Sequence, residues 1–130
     1  MVSRFSSGTE LKRVRGLGSA RGGVGFWWLQ RLTAVGSLVL LLWFVASLLM
    51  LPSLDHASVV AWVAQPLVAV PLLLMIIGVA WHFRLGVQVI IEDYVHDEPT
   101  RMLALVALAF YTIATGAVAL FAVLKIAFGA

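Results

Sequence analysis

Three stretches of this chain contain no Asp, Glu, Lys or Arg: residues 32–54, 56–83 and 102–124, of 23, 28 and 23 residues. A helix needs roughly 20 apolar residues to cross ~30 Å of hydrocarbon, so each stretch is long enough to span a bilayer. Hydrocarbon offers the backbone no hydrogen bonds, which restricts spanning segments to helices or closed barrels. A barrel strand would alternate apolar and polar side chains, and neither 38–44 nor 102–110 alternates. The rest of the composition agrees. Hydrophobic residues make up 62% of the chain, charged residues 12%, and the mean hydropathy is +1.04. A soluble domain is about half apolar and a quarter charged, and one of this size has no interior large enough for the surplus. The expected fold class is an all-α membrane protein: three transmembrane helices, a basic N-terminal arm, and a short interfacial helix before the second span.

The boundaries follow from charge and proline. Residues 1–130 form one membrane-anchor domain, with an arm over 1–24 and spans at about 26–51, 66–94 and 101–127. The middle uncharged run is too long for one plain span, and Pro66 and Pro71 fall near its beginning. Residues 57–65 therefore read as an interfacial helix with Trp62 at the headgroups, and the span begins at Pro66. Asp97, Glu98 and Pro99 read as a break between the second and third spans.

Basic residues orient the chain. Residues 1–31 carry Arg4, Lys12, Arg13, Arg15, Arg21 and Arg31 against Glu10, a local net of +5, whereas the turn after the first span has Asp55 and no cation. The positive-inside rule places the N-terminus in the cytoplasm and, after three spans, the C-terminus on the opposite side. The 92–101 loop is then cytoplasmic, and its net charge of −3 suggests a docking surface. No apolar h-region precedes Phe26, so the arm is not a secretory signal; it is read as a solvated segment that fixes topology, although its Arg- and Ser-rich composition resembles a mitochondrial transit peptide. No aromatic-interleaved basic module accompanies it, so nucleic acid is not an expected partner. Gly22-Gly23-Val24-Gly25 follows no strand and is a flexible lead-in rather than a phosphate loop. With no cysteine in the chain, disulfides, thiolate nucleophiles and cysteine-bound clusters are excluded from it.

Ionisable residues within a bilayer face a partner, a cavity or a cofactor. His82 lies 11 residues before Asp93, roughly 16 Å along a helix and near mid-depth. Gly86, Val89 and Asp93 continue its face. Bare backbone one turn from an imidazole lets a flat group such as a porphyrin lie against the helix. The alternative is a histidine hydrogen-bonded to a neighbouring helix, with Gly86 serving close packing. His56 and His96 sit at opposite surfaces, so a bis-histidine haem would take its second ligand from another subunit. Arg31 either snorkels to the headgroups beside Phe26, Trp27 and Trp28 or pairs with a haem propionate. Arg84 points away from His82 and is assigned to snorkelling or a partner subunit. Tyr94 is either an interfacial tyrosine or a hydrogen-bond donor to a quinone carbonyl, with Asp93 relaying protons or holding a basic partner.

Gly23-Val24 followed by Arg31-Leu32-Thr33-Ala34, and then His82-x3-Gly86-x6-Asp93-Tyr94, resemble the D-type hydrophobic membrane anchor of succinate dehydrogenase (complex II, succinate:quinone oxidoreductase). The likeness covers nearly the whole chain. It implies that His82 is an axial ligand of haem b, opposite a histidine of a sister C-type anchor. Tyr94 would hydrogen-bond the quinone (ubiquinone or menaquinone), with Asp93 beside the site and Arg31 near the propionates. The other implied partners are a flavoprotein subunit that oxidises succinate and an iron–sulfur subunit that carries electrons to the anchors. The implied location is a bacterial inner membrane rather than a mitochondrial one. Where some members carry a His-Asp pair a few residues before the arginine, this chain has Gly25 and Phe26. A quinol:fumarate reductase anchor shares this architecture, and a cofactor-free membrane scaffold is the reading from another class.

Overall fold

The structure, a computed structural model, describes residues 22–129 together with Leu11 and Val14. The rest of the basic arm, with Arg4, Lys12, Arg13, Arg15 and Arg21, lies outside the described residues, as does Ala130. Four helices follow in order: α1 (Gly23–Leu49), α2 (His56–Val63), α3 (Pro66–Tyr94) and α4 (Glu98–Ala127). Three of them, α1, α3 and α4, are long and apolar enough to cross a membrane, and the described residues contain no strand.

Local chemistry sets the ends. Gly22 precedes α1 with φ 87°, a left-handed conformation that glycine adopts without penalty. Proline stands in the first turn of both α3 and α4, where its missing N–H leaves no hydrogen bond unmade. Glu98 and Pro99 do not break the chain before the last span, as the sequence suggested, but form its first turn. The reason is the cap. Asp97 is extended and accepts the Thr100 N–H at 3.1 Å and the Thr100 hydroxyl, while Glu98 meets the positive end of the helix dipole. Pro71 sits inside α3 without ending it. Membrane helices accept this because neighbouring groups satisfy the freed carbonyl.

The Asp97 cap carries a pH dependence. Its carboxyl is held below the usual carboxylate range, first by the Thr100 hydroxyl and then by the Thr100 backbone. A carboxyl with a depressed folded-state pKa contributes stability above its unfolded pKa and loses it as pH falls through the folded value. Asp97→Ala is therefore expected to lower the thermal midpoint of the detergent-solubilised complex at neutral pH, with the gap to wild type closing in acid. A gap of constant size from neutral to acidic pH would contradict the cap.

The spans run antiparallel, with α3 in the middle. α1 and α4 each pack on α3 and not on one another. α1 and α3 approach closely at Ser37 and Gly78, where a Cβ added to Gly78 would meet the Ser37 hydroxyl oxygen at 3.2 Å. On the other side a Cβ on Gly116 would meet Ala80 at 3.9 Å. Small residues at both crossings are what membrane helices use, because contact rather than exclusion of water drives their association.

A packed cluster at one end of the bundle depends on α2, while Leu85, Leu108 and Thr112 are buried away from it. Trp62 does not lie out among headgroups: it is 9% exposed and clusters with Val63, Val68 and Leu72. Its ring stacks on Trp43 at 6.3 Å and lies 6.0 Å from Phe44, both on α1, while Val123 and Ile126 of α4 close the cluster. α2 folds back beneath the spans and ties α1 to α4 through this indole. Trp62→Ala is expected to destabilise the assembled protein by about 3 kcal/mol, the low end of the range for aromatic truncation, since lipid replaces part of the lost contact. Denaturant titration in detergent measures it, and Trp62→Phe should recover most of the loss.

Candidate functional site within the membrane

His82 projects from the middle of α3 toward α1. Its Nδ1 lies 3.4 Å from the Thr33 hydroxyl oxygen, and the ring is half-buried. The two residues match in depth: Thr33 is ten residues into α1 and His82 is 12 before the end of α3, so antiparallel packing brings them level. Thr33 has already committed its hydroxyl hydrogen. It donates to the Leu29 carbonyl at 2.8 Å and shares with the Gln30 carbonyl at 3.1 Å. The open role toward His82 is that of acceptor.

One turn beyond His82, a Cβ on Gly86 would meet nothing within 4 Å. The face continues through Val89 to Asp93, which falls within about 20° of His82 on an ideal helix. Asp93 and Tyr94 close α3. Both are exposed, Tyr94 at 78%, and among the described residues neither side chain has a hydrogen-bond partner. Tyr94 is turned about 120° from His82, so the two do not share one wall of the site. The Glu92 carboxylate accepts from the Gln88 amide at 2.8 Å and extends the polar end of the helix.

The other sequence candidates lie apart. Arg31 is exposed on α1, its guanidinium 5.2 Å from the centre of the Trp27 ring. It is about 200° around α1 from Thr33, so within this chain the structure does not bring it to His82. Arg84 stacks over Trp81 at 5.9 Å, away from the His82 face. His56 begins α2 and His96 follows α3, both exposed. No three His, Asp or Glu side chains cluster among the described residues. A metal bound at His82 would take one ligand from this chain.

Two apolar grooves flank α3. One, of about 400 Å³, lies between α1 and α4 and is lined by Leu41, Met75, Val79, Phe83, Tyr111 and Gly116. The second, of about 290 Å³, includes Ile77, Trp81, Arg84 and Ile113. His82 lines neither. Reasoning from sequence gave Thr33 no role beyond its place in the Arg31-Leu32-Thr33-Ala34 string. A count of residues from each span end would have matched its depth to that of His82.

Fold and site together define a three-span helical membrane protein with one half-buried imidazole near the middle of its central helix. The chain belongs to the succinate dehydrogenase/fumarate reductase transmembrane subunit family, whose model matches residues 6–121. It is 31% identical over 106 residues to the succinate dehydrogenase hydrophobic membrane anchor subunit of Rickettsia bellii, covering 82% of this chain and 85% of that one. The corresponding subunit of Rickettsia conorii is 28% identical over 116 residues, 88% and 90% of the two chains. A succinate dehydrogenase membrane anchor subunit of Reclinomonas americana is 31% identical over 90 residues, covering 61% of this chain and 68% of that one. No solved structure matches the chain.

Proposed function

We propose that this chain is the D-type anchor of a succinate:quinone oxidoreductase, holding haem b with a sister C-type anchor and forming part of the quinone-reduction site. The observation that carries the reading is His82: a half-buried imidazole at mid-span with Nδ1 beside Thr33 and open backbone at Gly86 one turn away. The lone imidazole suits a haem iron that would take its second histidine from a partner chain, with a flat apolar surface around it. Bound there, haem b would supply a one-electron store close to the quinone. Arg31, long and exposed on α1, would counter a propionate carboxylate on leaving its stack over Trp27.

The quinone is assigned to the far end of α3. Quinone reduction consumes two protons, so it belongs where water and acidic groups reach the membrane. The Tyr94 phenol donates to a quinone carbonyl and Asp93 passes protons or holds a basic partner. Electrons arrive from the flavoprotein and iron–sulfur subunits, whose clusters need cysteines that this chain lacks. The relatives' names favour succinate oxidation over fumarate reduction as the working direction. The basic arm orients the N-terminus to the cytoplasm of a bacterial inner membrane.

The test is purification through this chain, identification of the accompanying subunits, and a reduced-minus-oxidised spectrum with and without His82. Absence of flavin- and cluster-bearing subunits, together with a featureless spectrum, would leave a scaffold as the better description.

A further inference from the structure

We infer that Thr33 is a positioning residue for His82: it fixes the ring tautomer, placing the proton on Nδ1 and leaving the Nε2 lone pair for the iron. This rests on the proposal that His82 ligates haem. The argument is one of hydrogen counting. A threonine hydroxyl carries one proton and two lone pairs. That proton goes to the carbonyls of Leu29 and Gln30, at 2.8 and 3.1 Å, both closer than His82 Nδ1 at 3.4 Å. Toward the imidazole Thr33 offers only a lone pair, which is satisfied when Nδ1 bears hydrogen. In hydrocarbon no water supplies an alternative acceptor, so the neighbouring helix selects the tautomer.

The consequence reaches beyond orientation. A ligating histidine that donates its second N–H becomes a stronger donor to its metal, and such outer partners alter metal affinity by about 10- to 100-fold on mutation. At 3.4 Å the bond is long, which puts Thr33 at the low end of that range. A stronger donor favours ferric over ferrous iron, so loss of the hydroxyl raises the haem midpoint potential. A tenfold change in that preference corresponds to about 59 mV for one electron.

The experiment is a potentiometric titration of the b-type spectrum on the intact complex, with haem retention on dialysis as a second readout. Thr33→Val keeps the shape and removes the hydroxyl, Thr33→Ala does the same with less bulk should the valine variant not assemble, and Thr33→Ser restores it. The expected result is a rise of up to about 59 mV with roughly tenfold weaker haem retention for Val and Ala, and wild-type behaviour for Ser. Unchanged potential and retention in Val and Ala, with the b-type spectrum altered in His82→Ala, would overturn the role of Thr33 and leave the haem assignment standing. A His82→Ala complex with an unaltered b-type spectrum would overturn both.

Discussion

Replacing His82 with alanine is expected to alter the b-type optical signal of the complex while leaving succinate oxidation by an artificial soluble acceptor intact. No other histidine of this chain should restore it. The chain has three histidines; His56 begins α2 and His96 follows α3, so neither stands at the depth of His82 to take over ligation. A haem held through His82 and a partner histidine would lose this chain's ligand in the variant, and its spectrum would change with it. The bundle itself should survive. The ring is only half-buried, its one polar contact among the described residues is the long one to Thr33, and the packing cluster around Trp62 lies elsewhere. Assembly is checked by the yield of accompanying subunits in the same preparation. A His82→Ala complex of normal yield and unaltered spectrum would move the haem away from this chain.

Tyr94→Phe should separate two activities. Phenylalanine keeps the ring and removes only the hydroxyl, so helix packing at the end of α3 is untouched; the side chain is 78% exposed in this chain. A hydrogen bond to a group gaining negative charge is worth about 1.5–3 kcal/mol, which converts to a fall of roughly tenfold to a hundredfold in quinone reductase kcat/KM. Succinate oxidation by an artificial acceptor bypasses the quinone and should remain at the wild-type rate. Parallel loss of both activities would mean that Tyr94 supports assembly rather than quinone. The neighbouring carboxylate offers an internal control: Asp93→Asn should affect quinone reduction less than Tyr94→Phe does, since Asp93 and Tyr94 leave the helix about 100° apart.

Much of the architecture was legible in the sequence because hydrocarbon imposes a length and a polarity that few residues can evade. The uncharged runs became α1, α3 and α4, and the short segment before Pro66 became α2. His82 stood out for the same reason, as a costly group in lipid. Trp62 was read outward because an aromatic residue near a span end is usually a belt residue. The structure turns it inward onto Trp43 and Phe44, a decision made by how α2 folds back under the spans. Glu98 and Pro99 looked like breakers because their composition is that of a loop. With Asp97 as cap, the same residues open a helix.

The pairing of Thr33 with His82 was hidden for another reason. Each residue is visible alone, but the register between α1 and α3 shows only in contacts such as that of Ser37 with Gly78, across 41 positions of chain. Arg31 shows the converse. Only two positions from Thr33, it points to the opposite side of α1, because two helical residues are separated by about 200°.

The amino-acid order alone thus determined that the chain spans a membrane three times, and that one imidazole is stranded at mid-depth. Both follow from transfer free energies, which are local and additive along a segment. Which neighbour meets that imidazole, which face of α1 is left bare, and where α2 tucks its indole were decided only by tertiary packing. Those outcomes depend on distances between residues far apart in the chain, and no count along one helix contains them.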